Sequence, residues 1–219
     1  MKNEKYRKII DSLPDATGIM DANSYLYSAV MVPFVQLNGK LGILFQKRAN
    51  NIPQADEICF PGGKYDNSKD NKCADTAIRE TSEELGLSDT NILLDKKLKI
   101  LIAPVGKIVE SFIGRLDIDS LNELDINKQE VKKVIWIPYN YFLTTKAKKY
   151  NVTAKFSTVY TKDNGKKITT FPTKKLGIPE KYHEFWHSSL YPIYTYTYQN
   201  EIIWGITARI LVEIFEHKQ

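Results

Sequence analysis

The stretch Ala77-Ile78-Arg79-Glu80-Thr81-Ser82-Glu83-Glu84-Leu85-Gly86-Leu87 gathers three carboxylates and one guanidinium within a few residues. Side chains three and four apart share one face of a helix, so Glu80, Glu83 and Glu84 converge if this stretch is helical. Like charges at that spacing oppose helix formation, and the cluster makes physical sense when divalent cations sit among the oxygens. Mg2+ or Mn2+, hard ions that prefer oxygen ligands, would in turn grip phosphate oxygens. Such an ion offsets charge on a displaced phosphate and lowers the pKa of a coordinated water. Arg79, four residues before Glu83, is placed to orient a ligating glutamate by a charge-assisted hydrogen bond instead of touching substrate.

An acidic surface helix balanced by arginine is the bland alternative, and for an isolated Glu-Glu pair it would be preferred. The context here favours chemistry. Pro61-Gly62-Gly63 precedes the acidic stretch, and its glycines permit close backbone approach and offer a carbonyl ligand. Gly86 is the residue type that closes a helix.

The surrounding elements must hold that stretch in place. Lys72 to Leu85 reads as a helix whose opposite stripe, Ala74, Ala77, Ile78, Thr81 and Leu85, packs on a sheet. Two strands, Ala29 to Gln36 and Leu41 to Gln46, flank the hairpin signal Asn38-Gly39. Further strands are expected at Leu98 to Pro104, Val109 to Leu116 and Val131 to Ile137. A leading helix spans Lys5 to Leu13, stopped by Pro14, and a last helix runs from about Gly205 to Glu216. Between Asn140 and Tyr191 the pattern weakens, with candidate strands Val152 to Thr161 and Lys166 to Phe171 around the turn Asn164-Gly165. Mixed strands and helices predict an α/β or α+β class.

Bulk properties bound the rest. With 219 residues, 42% hydrophobic and 26% charged, the chain suits one sizeable core and leaves disorder out. One domain over 1–219 is expected, with a Lys-rich insertion at about 141–190. Nine lysines against the single acid Asp163 lie between Lys146 and Lys175, a patch that reads first as a solvated loop and second as an anion guide. The net charge of +5 carries little weight. Cys59 and Cys73 lack a paired spacing, so reduced thiols are expected. The first residues lack the apolar run of a signal peptide, and no stretch reaches a membrane span, which leaves a cytoplasmic expectation.

The motif Arg79 to Leu87 resembles the signature of the Nudix hydrolases, with Thr81 at the first apolar position. That resemblance implies an α/β/α sandwich with a mixed sheet between helices. The front half of the signature departs: with five residues left after Gly63 the next position is Lys69, not Glu, and Asp70 stands nine residues before Arg79. An Asp at that spacing is similar to the branch that hydrolyses coenzyme A. Further likeness to that branch comes from Leu44 to Arg48, from Glu57-Ile58-Cys59-Phe60-Pro61-Gly62-Gly63-Lys64, and from Ile203-Trp204-Gly205-Ile206-Thr207-Ala208-Arg209-Ile210-Leu211. An Arg-x-His-x-Gly-like stretch of the branch is not matched, since Ile52, Gln54 and Asp56 occupy its positions. The resemblance implies the carbonyl of Gly62 and the carboxylates of Glu80, Glu83 and Glu84 as ligands to Mg2+ or Mn2+. It implies Arg48, Gly63 and Lys64 as substrate-binding residues, and Glu130 as a further ligand or general base. Glu110 and Glu80 stay open as rivals for the base.

The expected reaction is hydrolysis of a diphosphate linkage, with coenzyme A or acyl-CoA yielding 3',5'-ADP and (acyl-)4'-phosphopantetheine. Two alternatives stay open: another nucleoside diphosphate derivative such as ADP-ribose or a nucleoside triphosphate, and a nucleotide-binding regulator without turnover. The expected partner is a small molecule, with a homodimer open and neither nucleic acid nor membrane involved. Lys148, Lys155 and Lys166 are candidate polyanion contacts, and the aromatics between Tyr182 and Tyr198 are candidate stacking groups, although alternation of Tyr194, Tyr196 and Tyr198 fits plain strand packing. His183-Glu184-Phe185-Trp186-His187 matches the zinc protease pattern, but five residues are readily matched by chance and Pro179 and Pro192 crowd the helix it would need.

Overall fold

The computed structural model describes residues 4–12, 19–104 and 106–216. In chain order the elements are α1 (Glu4–Ser12), β1 (Leu26–Leu37), β2 (Lys40–Arg48), β3 (Ile58–Cys59), β4 (Gly62–Lys64), α2 (Cys73–Leu85), β5 (Ile92–Lys97), β6 (Leu101–Ala103), β7 (Lys107–Leu116), β8 (Val131–Pro138), α3 (Tyr139–Thr144), β9 (Lys148–Ser157), β10 (Val159–Thr161), β11 (Lys167–Thr169), β12 (Phe185–Tyr198), β13 (Glu201–Trp204) and α4 (Gly205–Phe215). Leu13 and Pro14, the expected end of the leading helix, lie outside the described residues.

The Asn38-Gly39 hairpin forms as its residues demand. Both adopt positive φ, 50° and 74°, the backbone twist that a two-residue connection between right-twisted strands needs. Beside it β1 runs parallel to β7 over Leu26 to Phe34, while β2, β4, β5, β6, β3 and β8 join antiparallel. The result is a mixed sheet.

Alternation along β1 and β2 sends successive side chains to opposite faces. Ala29, Met31, Val35 and Leu44 meet Ala77 and Leu85 of α2 on one side. Val32, Ile43, Phe45 and Ile137 meet Ala208, Leu211 and Val212 of α4 on the other. A sheet between α2 and α4 is the sandwich that the resemblance implies. Thr81, the polar substitute in the motif, is fully buried, and its hydroxyl donates to the carbonyl of Ala77 at 2.6 Å. With that hydrogen made, Thr81 packs as an apolar residue would.

Strand β5 has no counterpart in the sequence reading, because its exposed Asp95-Lys96-Lys97 end masks the alternation. The weak-pattern region is more ordered than its sequence suggests. Strands β9, β12 and β13 build a second antiparallel sheet, and β10 and β11 pair across Asn164-Gly165. Val152 to Thr161 is not one strand: it breaks at buried Thr158, whose hydroxyl donates to the carbonyls of His183 and Glu184 at 2.6 and 3.1 Å. The second sheet is tied to the core through Tyr196, 1% exposed, whose ring meets Phe142 edge-on at 5.6 Å and whose hydroxyl donates to Glu216 at 2.8 Å.

Candidate functional site

Helix α2 starts where Asp75 reaches back to accept from the N–H groups of Asn71 and Lys72, at 3.1 and 3.2 Å. It ends at Gly86, which takes the left-handed conformation with φ +66°. Between these ends Arg79 organises the acids. Its Nε and Nη2 donate to the two oxygens of Asp70, each at 2.9 Å, and its Nη1 donates to Glu80 at 2.7 Å and Glu83 at 3.2 Å. The nine-residue spacing seen in the sequence is therefore a two-pronged ion pair.

Asp70 is 4% exposed and also accepts from the Thr76 hydroxyl at 2.8 Å and the Asp66 N–H at 3.2 Å. The Arg79 guanidinium, ahead of those hydrogen bonds, holds its carboxyl well below the usual carboxylate range. Asp70 raises the pKa of Arg79 in return.

Glu84 differs from its neighbours. Although it lies on the polar side of the helix, it is 2% exposed and accepts the Gly62 N–H at 2.9 Å. Burial pushes its pKa up to about 7, and the charges of Glu80 and Glu130 push the same way. Glu80 is raised by burial too, with Arg79 opposing. Gly63 sits under the Glu80 carboxyl so closely that a Cβ would overlap it, so any larger residue there would displace Glu80. Glu83 is half exposed.

Among the described residues, no three acidic, histidine or cysteine side chains already stand at ion-holding separations. Arg79 holds Glu80 and Glu83, and Glu84 is turned toward Gly62. The donor set nonetheless fits a hard cation. Glu84 carries a charge that burial and its neighbours disfavour, and the fully buried Gln46 amide beside it makes no hydrogen bond of ordinary geometry. A cation among these oxygens would offset the Glu84 charge and give the Gln46 amide oxygen a partner.

Glu130 and Glu110 part company in the fold. Glu130 occupies the exposed turn before β8, near enough to Glu80 and Glu84 to oppose their ionisation. Glu110, on β7, is held by Lys97 at 2.7 Å beside Cys73.

A cleft of about 560 Å3 opens from this acidic corner toward the α4 face of the sheet. Arg48, Gly62, Gly63 and Lys64 line it, as do Lys107 at the start of β7 and Tyr191, Pro192, Ile193 and Trp204. Arg48 is steadied there by donating from Nε to the Pro53 carbonyl at 3.0 Å. All three residues expected to bind substrate thus face one cavity. Lys148, Lys155 and Lys166 do not line it; Lys155 instead places its ammonium over the Phe185 ring at 3.5 Å. The lysines project from an exposed strand and a hairpin, whereas the cleft's cations come from the main sheet and its loops.

The NUDIX domain model matches residues 26–157, more than half of the chain. The chain belongs to the Nudix family. Relatives include mouse peroxisomal coenzyme A diphosphatase NUDT7, 34% identical over 52% of this chain and 48% of that protein. Human mitochondrial coenzyme A diphosphatase NUDT8 is 31% identical over 56% of this chain and 52% of that protein. The Nudix chain described here spans about half the length of these curated relatives. A solved structure, the Nudix hydrolase RenU from M. smegmatis, aligns with TM-score 0.44 and 15% identity over 53% of this chain and 72% of that one.

Three residues at the Nudix site escaped the sequence reading. Gln46 was legible as a polar residue closing the apolar run Gly42 to Phe45, since a buried polar group in a strand is the informative exception. Lys107 and Tyr191 gave no local signal, because only strand pairing brings them to the cleft. The His183 to His187 pattern is not helical: a 3-10 turn at Glu180–Tyr182 leads into β12, and His183 Nε2 lies 2.8 Å from the Ile178 carbonyl. No helical i, i+4 zinc pair exists there. Among the described residues no helix is long and apolar enough to cross a membrane.

Proposed function

We propose that this Nudix protein hydrolyses the diphosphate linkage of a nucleotide derivative in the cleft, with coenzyme A or an acyl-CoA as the favoured substrate. The observation that carries the reading is a mixed lining: the glycines under Glu80 and Glu84 line a cleft that also carries cationic, aromatic and aliphatic side chains. A diphosphate suits the glycines and cations of that lining, and a slender amide chain suits its apolar side chains. The names of the relatives support the same choice.

Glu80, Glu83, Glu84 and the Gly62 carbonyl would hold Mg2+ or Mn2+. When bound, such an ion neutralises phosphate charge and acidifies water. Arg79 is a positioning residue, fixing the Glu80 carboxylate while Asp70 fixes Arg79. Arg48, Lys64 and Lys107 meet the phosphates, and Tyr191 and Trp204 keep water from the chain beyond them. Glu130 is the base, since it shares the field of Glu80 and Glu84 and is free to approach a water from its exposed turn.

Purified protein with coenzyme A and Mg2+ is expected to release 3',5'-ADP and 4'-phosphopantetheine, separable by chromatography, and EDTA is expected to stop the release. Turnover of ADP-ribose alone would remove the coenzyme A reading and keep diphosphate hydrolysis. Glu83→Gln, at a half-exposed position of small stability value, is expected to lower kcat by roughly a hundredfold or more with an unchanged melting temperature. An unchanged kcat refutes the assignment of this helix.

A further inference from the structure

A second, smaller cavity lies beyond the cleft, beneath α4. It holds about 200 Å3 and is bounded by the β5–β6 loop (Leu98 to Leu101), Ser111 of β7, Tyr194 of β12, and Arg209 and Glu213 of α4. Ile210 lines both cavities, and the Arg209 guanidinium stacks on the ring of Tyr191 at 5.1 Å, so the two spaces adjoin.

Its polar lining is unusual in what it leaves unmade. Ser111 is 1% exposed, and its Oγ has no hydrogen-bond partner. The Nη1 of Arg209, also shut off from solvent, has none either. Native folds leave few buried polar groups unmet, and each such case asks for an explanation such as a water, an ion or a ligand. Arginine offers only donors, and its planar fork matches the geometry of carboxylate and phosphate oxygens. Ser111 can add a third donor from the floor of the cavity. Lys99 and Glu213, also on the lining, pair at 2.8 Å, and Arg209 is the other cation of the cavity.

We infer that the cavity bounded by Ser111, Tyr194 and Arg209 is an oxyanion subsite, taking a carboxylate or phosphate group separate from the diphosphate bound near Gly63. The oxyanion is either the far end of a molecule lying in the cleft or a free small anion. The first source rests on the proposed activity; the second does not.

The test reads binding, so it stands apart from catalysis. Metal-free protein is titrated calorimetrically with inorganic phosphate and with malonate, as wild type, Arg209→Gln and Ser111→Val. Ser111→Val removes the hydroxyl and leaves the α4 helix untouched, which keeps the test decisive if Arg209→Gln folds poorly. Saturable binding of either probe, weakened at least tenfold in both folded variants and unchanged in Glu83→Gln, is the expected result. Equal affinity in wild type and variants, or no saturable binding at millimolar probe, overturns the inference, the latter because a trapped water then meets both groups. Competition separates the sources: a probe displaced by coenzyme A marks the far end of the substrate, and one that binds alongside it marks a free anion.

Discussion

At the scale of single residues, Asp70 and Arg79 set the geometry of the candidate site. The pair is two-pronged, its carboxylate is buried, and every oxygen lone pair in use faces a donor. Asp70→Asn keeps the shape and removes the charge, leaving Arg79 one amide oxygen in place of two carboxylate oxygens. A stability loss of about 2–3 kcal/mol in urea unfolding is expected, from the loss of hydrogen bonds to a charged group. The pH dependence has a definite sign. Because the folded pKa of Asp70 lies below its unfolded value, its contribution is complete above about pH 4 and is lost as pH falls through the folded pKa. The gap between wild type and Asp70→Asn therefore narrows below pH 4, and a gap that stays constant into acid would show that the charge is not what stabilises.

At the scale of elements, two glycines separate stability from activity. Gly86 closes α2 at φ +66°, and a Cβ there would overlap the Asp125 carbonyl. Gly86→Ala is expected to cost about 2 kcal/mol or more in unfolding free energy, by left-handed strain plus the clash. Gly63 has no such backbone demand; what a Cβ meets is the mobile end of Glu80. Gly63→Ala is expected to change stability by less than about 1 kcal/mol while lowering kcat at least tenfold, because Glu80 must swing away. Equal loss of stability in both variants would contradict this division. The sequence made the acidic stretch and its Gly86 cap legible, since both are local. It did not reveal that Glu84 is buried, because the group covering it, the Gly62 turn, is supplied by a strand more than twenty residues earlier.

At the scale of the whole molecule, the second sheet lends β12 to the cleft wall and Tyr196 to the core, while the β10–β11 hairpin pairs only with itself. Replacing residues 160–168 with a short Gly-Ser turn is expected to leave the melting temperature within a few degrees and KM unchanged, since loop-length changes at exposed turns cost little. A marked rise in KM would assign the hairpin to the site. What the sequence determined by itself was whatever local periodicity and turn chemistry dictate: the 38–39 hairpin, helix α2 with its three glutamates and the Asp70 spacing, and an α/β or α+β class to carry them, with the mixed sheet implied by the family resemblance. Tertiary structure alone decided which carboxylate is buried, which of Glu130 and Glu110 stands near the others, and that Arg48, Lys64, Lys107 and Tyr191 share one cavity. Those facts depend on strand order and register, which bring together residues far apart in the chain, and no window of neighbouring residues contains them.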